Sequence, residues 1–598
     1  MSIDPSVMCH CGSGLRAVRC CLVEPVSMVA ANSAVYLAPT TERARQAFKI
    51  GNAAVAEELS LAVLDLSPYD PDALLMLSQI RLAQNNHSAA KALLSRLVKA
   101  NPNLAVQLTQ LARLHMEVRE LKDAERVARM AIRADPTLAD AHNVLGMILS
   151  EAGELIGGEA CYRHTIAMID QPDAIILANL AWNLTLQGRF EEAASSYEQS
   201  LSLAPDVPQT VIGHALLERK AGRLEKARDI LSQAYEKAGE NRFLAVQYAA
   251  VLNELGLAAQ ALDIVNALSG EDITRSFFEW KERGNILYGL GRYEDAFAAW
   301  QEGGRAPDAP LGVGPVGLGG YVERLKSFFT ATKLGLISAA AKEFDGGIQP
   351  IFVVGASSQI TAPFGKWIAS TISAPTIALG PLLSSLIERL PEMVASPYAY
   401  PEALADLWMA DRVSSLRTLR EKLQDHFRSV QAQGQDKSNW IVNIDPLDET
   451  QIGLIALLFP YAPIIHLIDH PLSSAVRKFA SSTPVLLEYD GTIEGAAEYV
   501  KAMSDIAEHM RSNFVLKYLP VKISDLLQNQ SMACERITNF VSFEPVYGRQ
   551  HPLTLPPIMG YEPFSAHLAE ASKILSTLIQ ARGFEAVVSE PSTANANV

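Results

Sequence analysis

The chain has 598 residues, 49% of them apolar and 20% charged, a composition that calls for several globular domains. Its formal net charge of −15 argues against a general nucleic-acid or membrane-surface binder. Six cysteines are few for this length, and four of them fall within the first 21 residues, which points to metal binding in a reducing compartment rather than to a disulfide framework. The N-terminus lacks the basic and apolar segments of a secretory signal, and the longest apolar stretch, Ile452 to Ile468, is broken by Pro460 and Pro463. A cytoplasmic protein with no membrane span is expected.

Residues 9–21 carry Cys9 and Cys11 as one ligand pair and Cys20 and Cys21 as the other, with Gly12 and Gly14 turning the chain between them. Four thiolates make a closed structural site for Zn²⁺ with no open position for catalysis. His10 is a bystander, because the thiolates already satisfy the metal. Over about thirteen residues this spacing resembles the SEC-C motif, a small zinc module attached to many bacterial proteins. The resemblance implies a docking element for protein partners. A plain zinc staple that orders residues 1–36 is the competing reading.

From residue 37 to residue 305 the chain repeats. Ala56, Ala90, Ala124, Gly158, Ala193, Ala227, Ala261 and Ala296 recur every 34 or 35 residues. Two helices pack closely only where a small residue sits at their crossing, which accounts for the register. Turn signals such as Gly51-Asn52, Asn85-Asn86 and Gly188 precede several of these positions, and Pro68, Pro102, Pro136 and Pro205 follow where a second helix ends. The pattern resembles the tetratricopeptide repeat, in about eight units stacked as an all-α superhelix. The last unit, with Trp280, Gly284, Ala296 and Trp300, is the most complete. A concave groove lined by the first helices is the expected surface for protein or peptide partners. Asn143, Asn179 and Asn183 fall on those helices and are candidates for bonding an extended backbone; a solvated helix face is the alternative for each.

Residues 306–324 are rich in Gly and Pro and read as a linker. Beyond them, strands over 350–354, 439–444, 464–468 and 515–519 alternate with longer amphipathic helices. That is the texture of an α/β domain with a mainly parallel sheet, placed at 325–550, with a C-terminal helix and tail over 551–598. The first of these strands breaks at Gly355 and runs into a helix, a frame that holds phosphate on unpaired backbone N–H groups. Working phosphate loops add further glycines and a cation. Here there is one glycine, and no basic residue precedes Lys366.

Three segments of this region resemble bacterial sulfotransferases linked to tetratricopeptide repeats: Pro350-Ile-Phe-Val-Val-Gly355, the run from Ile452 to His466 with Pro471-Leu472, and Val521-Lys-Ile-Ser-Asp-Leu-Leu527. The resemblance implies a P-loop-type α/β fold and transfer of sulfuryl from 3′-phosphoadenylyl sulfate (PAPS) to a hydroxyl, often on a protein or peptide. The family's loop reads PRSGTT, and here the basic position is Ser358, the glycine is Ile360 and only Thr361 survives of the two threonines. Gly380 is followed by Pro381 where the family places its acidic base. The Lys of its DKMP-like segment falls at Ile444, its Arg pair at Ile468-Asp469, and its nearby Ser at Arg477. Gly355, Thr361 and Arg477 are the remaining cofactor-binding candidates, and no catalytic residue is assigned. Lost charge implies a degenerate domain to which PAPS does not bind, and an interaction adaptor overall. The alternatives are an active sulfotransferase with displaced residues, among them Arg477 and Lys366, and a transferase of another donor. His466, Asp469 and His470 cluster near a strand end, where structural or solvated roles are favoured over a metal or acid–base site. Lys478 and Arg477 are read as solvated cations.

Overall fold

The computed structural model describes residues 7–21, 33–171, 173–205, 207–239, 241–268, 275–309, 314–333, 347–355, 358–406, 414–433, 438–445, 447–481, 491–541, 553–555 and 558–584. The repeating register folds as eight helical hairpins: α1 (Ser33–Lys49) with α2 (Ala53–Leu66), α3 (Pro71–Ala83) with α4 (His87–Ala100), α5 (Ala105–Glu117) with α6 (Leu121–Ala134), α7 (Ala139–Glu151) with α8 (Leu155–Met168), α9 (Ala174–Leu186) with α10 (Phe190–Leu203), α11 (Pro208–Lys220) with α12 (Leu224–Ala238), α13 (Arg242–Glu254) with α14 (Ala258–Ala267), and α15 (Phe277–Gly289) with α16 (Tyr293–Gly304). The first helix begins a few residues earlier than position 37. In six hairpins the turn is made by a glycine with φ between +72° and +82°, and Asn85 and Arg119 adopt the same left-handed conformation in the other two. All seven alanines of the register are fully buried. At the eighth position, a Cβ on Gly158 would lie 2.6 Å from Ser150 Oγ and 2.8 Å from Asn183 Nδ2.

The chain divides into two compact units, Met1–Asn183 and Leu184–Val598, so the division falls inside α9 and not at the Gly/Pro-rich stretch. That stretch, expected as a linker, is helical from its middle onward. Helix α17 (Gly314–Phe328) buries Leu318, Val322 and Leu325 in the core of the α/β domain. These residues are spaced i, i+4, i+7, and the apolar stripe outweighs the poor helix propensity of the surrounding glycines.

The α/β domain is built on five parallel strands, β1 (Gln349–Val354), β2 (Thr376–Ile377), β3 (Trp440–Asn443), β4 (Ile464–Ile468) and β5 (Tyr518–Lys522), in the order β2-β3-β1-β4-β5. Along β1, Ile351 and Val353 face one core with Val442, Ile465 and Leu467, while Phe352 and Val354 face another with Ile441 and Ile464. Both faces are covered, as parallel sheets require. The last strand lies three residues later than the sequence suggested: Val515 is fully exposed, and β5 includes Pro520. Proline is tolerated there because β5 is an edge strand.

The helices that follow in the domain are α18 (Ser358–Ile372), α19 (Gly380–Met393), α20 (Ser414–Gln433), α21 (Ile452–Leu458), α22 (Pro471–Ala480), α23 (Ile493–Asn513), α24 (Ile523–Gln528), α25 (Gln530–Val541) and α26 (Ala569–Ala581). The last repeat is not a separate body from this domain. Leu287, Phe297 and Trp300 share one core with Leu472, Val476 and Phe479 of α22 and with Phe564, Leu568 and Leu575 of the C-terminal segment. Lys281, fully buried on α15, donates from Nζ to Trp300 O (3.0 Å) and Phe479 O (2.6 Å). The second acceptor is one of the terminal carbonyls of α22 that have no partner within the helix. Burial pushes the Lys281 ammonium down to about 7.

Candidate functional site

The four N-terminal thiols converge. Cys9 N–H bonds to Leu15 O (2.8 Å) and Gly12 N–H to Cys9 O (3.2 Å), while Gly12 and Gly14 have φ of +74° and +85°. All four Sγ atoms lie within 4.8 Å of one another. A tetrahedral Zn²⁺ with Zn–S near 2.3 Å needs S···S separations of about 3.8 Å. Cys11 and Cys20 are 3.5 Å apart, and Cys20 and Cys21 are 4.0 Å apart. The donor set and spacing fit such an ion. Without one, crowding splits the thiols: a hydrogen bond from Cys20 holds Cys11 down at about 4, Cys20 is driven far upward chiefly by its bond to Cys11, and burial raises Cys21 to about 12. The four sulfur atoms form a candidate metal site. The module is not a free-standing appendage. Cys9, Cys11, Leu15 and Cys20 share a core with Leu64, Leu74, Leu77 and Leu94 of the first repeats.

The second candidate lies at the carboxyl ends of the strands, where ligands bind in open α/β sheets. Gly355 ends β1 with φ +74°, and its N–H bonds to Leu447 O (2.9 Å). A Cβ there would sit 2.8 Å from His466 Cδ2 and 2.9 Å from Leu467 O, so glycine is needed for close approach of β4. Thr361 is fully buried and its hydroxyl donates to Gly355 O (3.2 Å), which ties α18 to the strand end. Ile360, in the first turn of α18, is buried in the core with Ile351 and Val353. The loop position matched to glycine is thus an anchor for the helix. The side chains of Ser358 and Pro381 lie outside the described residues. Gly380 abuts Asp445, whose carboxyl is raised by burial in spite of the Lys220 charge and a bond from the Gly380 backbone.

The readings of Arg477, Lys478 and Lys366 need correction. Arg477 is not a solvated cation: it is 9% exposed, its Nη2 pairs with Asp469, and its Nη1 donates to Met559 O (2.9 Å). Lys478 lies 4.3 Å over the Tyr499 ring. Lys366 is half-buried and turned to the repeat array, with Nζ donating to Ala221 O (3.2 Å) at the end of α11. His466, Asp469 and His470 do not converge on a common point. His470 accepts from Leu472 N–H (3.2 Å) as the cap of α22 and stacks on Tyr561.

His466 has a different role. It is buried, its Nε2 meets Glu449 Oε1 at 3.1 Å, and its Nδ1 meets the Tyr518 hydroxyl. Burial works against the charge of Glu449, but the bond and charge of His466 outweigh it and hold the carboxyl below the usual range. Arg582, at the end of α26, is largely buried, and its charge acts on Glu449, Tyr518 and Asp469 while Nη2 donates to Ser504 Oγ (2.8 Å). Sequence reasoning missed Glu449, Tyr518 and Arg582. Nothing local announces them, because each reaches the strand end from a distant segment.

In the first unit, Asn143 is buried and accepts from Asn179 Nδ2 (3.1 Å). Asn183 is fully buried and donates to Ser150 Oγ (2.8 Å) and Leu155 O (3.0 Å), so it is an internal tie and leaves the partner-binding set. Trp182 is exposed on α9, as is Ile175. No helix among the described residues is long and apolar enough to cross a membrane.

Helical hairpins followed by an α/β domain on a parallel five-stranded sheet define a repeat protein with an α/β C-terminal domain. Comparison makes both parts specific. Profiles of the tetratricopeptide repeat match residues 47–110 and 177–243, and the profile of the sulfotransferase family matches residues 368–545. The chain carries tetratricopeptide repeats and a sulfotransferase-family domain. The last match begins downstream of the loop at Gly355. Similar solved structures include a tetratricopeptide repeat protein from Parabacteroides merdae ATCC 43184 (16% identity, TM-score 0.34, covering 40% of this chain and 93% of that one). Another is PilW, described as a widely conserved type IV pilus biogenesis factor (18%, 0.31, 33% and 91%). A third is a thermophilic repeat protein from Thermus thermophilus (24%, 0.25, 30% and 98%). No curated protein matches the chain.

Proposed function

We propose that the chain is a cytoplasmic protein-interaction adaptor. The repeat array supplies the binding surface, the cysteine module holds a structural Zn²⁺, and the sulfotransferase-family domain serves as a platform that does not use PAPS. The observation that carries this reading is the Asp469–Arg477 pair. The donor brings several negative charges, and taking them out of water requires cations or aligned donors. Arg477 is already committed to Asp469 and Met559 O, and Asp469 adds a carboxylate where a phosphate would sit. The Thr361 hydroxyl is bonded inward. Each lost donor of this kind costs about 3–4 kcal/mol of transition-state stabilisation. The residues present do not fit PAPS.

On the repeat array, Ile175, Asn179 and Trp182 stand at i, i+4 and i+7 of α9 and form one continuous face. An exposed Trp beside a polar amide suits an extended peptide. The test of the domain reading is calorimetric titration of the full chain with adenosine 3′,5′-bisphosphate (PAP), the product of PAPS. No saturable heat is expected; a dissociation constant in the low micromolar range overturns the reading. A second reading, an active sulfotransferase acting on a protein or peptide hydroxyl, draws on Arg582, a cation brought to the strand ends by α26. If PAP binds and Arg582→Ala abolishes the binding, that reading replaces the first.

A further inference from the structure

A buried imidazole without a polar partner lies between the fifth and sixth hairpins. His214 of α11 is 5% exposed, and neither ring nitrogen has a hydrogen-bond partner among the described residues. Its ring stacks on Tyr197 of α10, with centroids 5.6 Å apart and planes at 21°. Tyr197 is itself buried, and it comes so close to the α11 backbone that a Cβ on Gly213 would lie 2.5 Å from its hydroxyl. One turn further along α11, Glu218 is fully buried, with Oε1 3.4 Å from His214 Nε2. That carboxylate is already claimed. It pairs with Arg223, at the turn into α12, and with Lys226 Nζ of α12 at 3.0 Å. Glu191 and Glu198 of α10 stand 2.9 Å from Arg223 and 3.9 Å from Lys226, and both are largely exposed. On the side of α13, Glu254 is taken by Arg219 (2.9 Å).

A proton on His214 would set a third cation, after Arg223 and Lys226, beside one buried carboxylate. Away from water that arrangement is costly, so the fold favours the neutral ring. Burial accordingly lowers His214 from its ordinary 6.5, in spite of the Glu218 charge. The helix that carries His214 also carries a join to the α/β domain. Ala221 caps α11, and its carbonyl accepts from Lys366 Nζ of α18 (3.2 Å); the same Lys366 lies 5.9 Å over the Phe190 ring of α10. Helix α18 is the one that follows β1 and Gly355. We propose that His214 is an acid-sensitive joint: its protonation loosens the packing of α10, α11 and α12 and, through the Ala221–Lys366 contact, frees α18. An opened chain takes up the proton that the closed fold excludes, so closure is at full strength above pH 6.5 and weakens as the pH falls below it.

The test is hydrogen exchange of the full chain at pH 7.5, 6.5 and 5.5, with intrinsic exchange rates divided out, for wild type, His214→Phe and Lys226→Gln. In the wild type, opening of α10, α11 and α12 should rise severalfold by pH 5.5, with a ceiling of about tenfold because that pH lies one unit below 6.5. Exchange over α18 should rise with it. His214→Phe keeps a ring on Tyr197 and cannot titrate, so the rise should vanish from all four helices. Lys226→Gln takes away one of the two cations that oppose the proton, so the rise should shrink. A wild type that shows no rise, or a rise of equal size in His214→Phe, overturns the proposal. So does a rise in α10, α11 and α12 that leaves α18 unchanged, since the Lys366 contact then transmits nothing. Should His214→Phe fail to fold, Lys226→Gln decides: its side chain is about half exposed, and a rise as large as that of the wild type refutes the role of His214.

Discussion

Replacing Lys281 by methionine keeps the length of the side chain and removes the amine that joins α15 to the carbonyls of Trp300 and Phe479. In the folded chain burial lowers this ammonium to about 7, against an ordinary 10.5. Between those values the unfolded chain holds a proton that the folded chain has released, so stability rises with pH. From pH 7 to pH 9 the gain from this one group is about 2 kcal/mol. The methionine variant lacks that gain and leaves the Phe479 carbonyl without its buried partner, a loss of about 1–3 kcal/mol. Near pH 7 the relief of a dehydrated cation offsets that loss, and the two proteins should differ by under about 1 kcal/mol. At pH 9 the wild type should lead by roughly 2 kcal/mol. Urea unfolding of both proteins at pH 7, 8 and 9, read as the difference between midpoints, isolates Lys281 from every other titrating group. A difference that stays constant across the three pH values refutes the reasoning.

Asp469→Asn should destabilise the chain by about 3–5 kcal/mol, because it strands Arg477 in a buried site, and Asp469→Leu with Arg477→Met should recover most of that loss in thermal unfolding. Gly284→Ala should lower the melting temperature by several degrees, since the new methyl meets the Trp300 ring in the last repeat and overpacking of this kind costs about 1–3 kcal/mol. On arrays of extended peptides, Asn179→Ala with Trp182→Ala should weaken binding about tenfold or more with circular dichroism unchanged; retained binding would remove α9 from the interaction surface.

The repeats were legible because their signal is local and periodic: a small residue at each crossing and a left-handed turn before it are written into every unit. Four of the five strand positions were legible to within a few residues as short apolar runs, but β2, only two residues long, left no such run to read. Pro520 hid the true span of β5, because a proline argues against a strand until the strand is known to be an edge. The helix over 314–328 was masked by glycines whose cost its apolar stripe overcomes. The chemistry at the strand ends was far less legible. Glu449 lies 17 residues from His466, and Tyr518 lies 52 residues beyond it, so the contacts exist only after the sheet has formed. Arg477 looked free in the sequence because only the turn from β4 into α22 brings Asp469 onto it. Asn183 looked like a groove residue because helical periodicity gives its face to within a turn, not its neighbours in the adjoining hairpin.

The common core of Trp300, Phe479 and Phe564 bears on how such a protein is inherited. A break in composition near residue 306 looks like the seam at which recombination would exchange one repeat array for another. A crossover there would carry Phe297, Trp300 and Lys281 away with the departing array and leave α22 and α26 with a bare apolar side. A crossover upstream of Phe277 would keep the last hairpin with the domain it packs on. Exchange at the seam near residue 306 would therefore part the last hairpin from the domain it packs on.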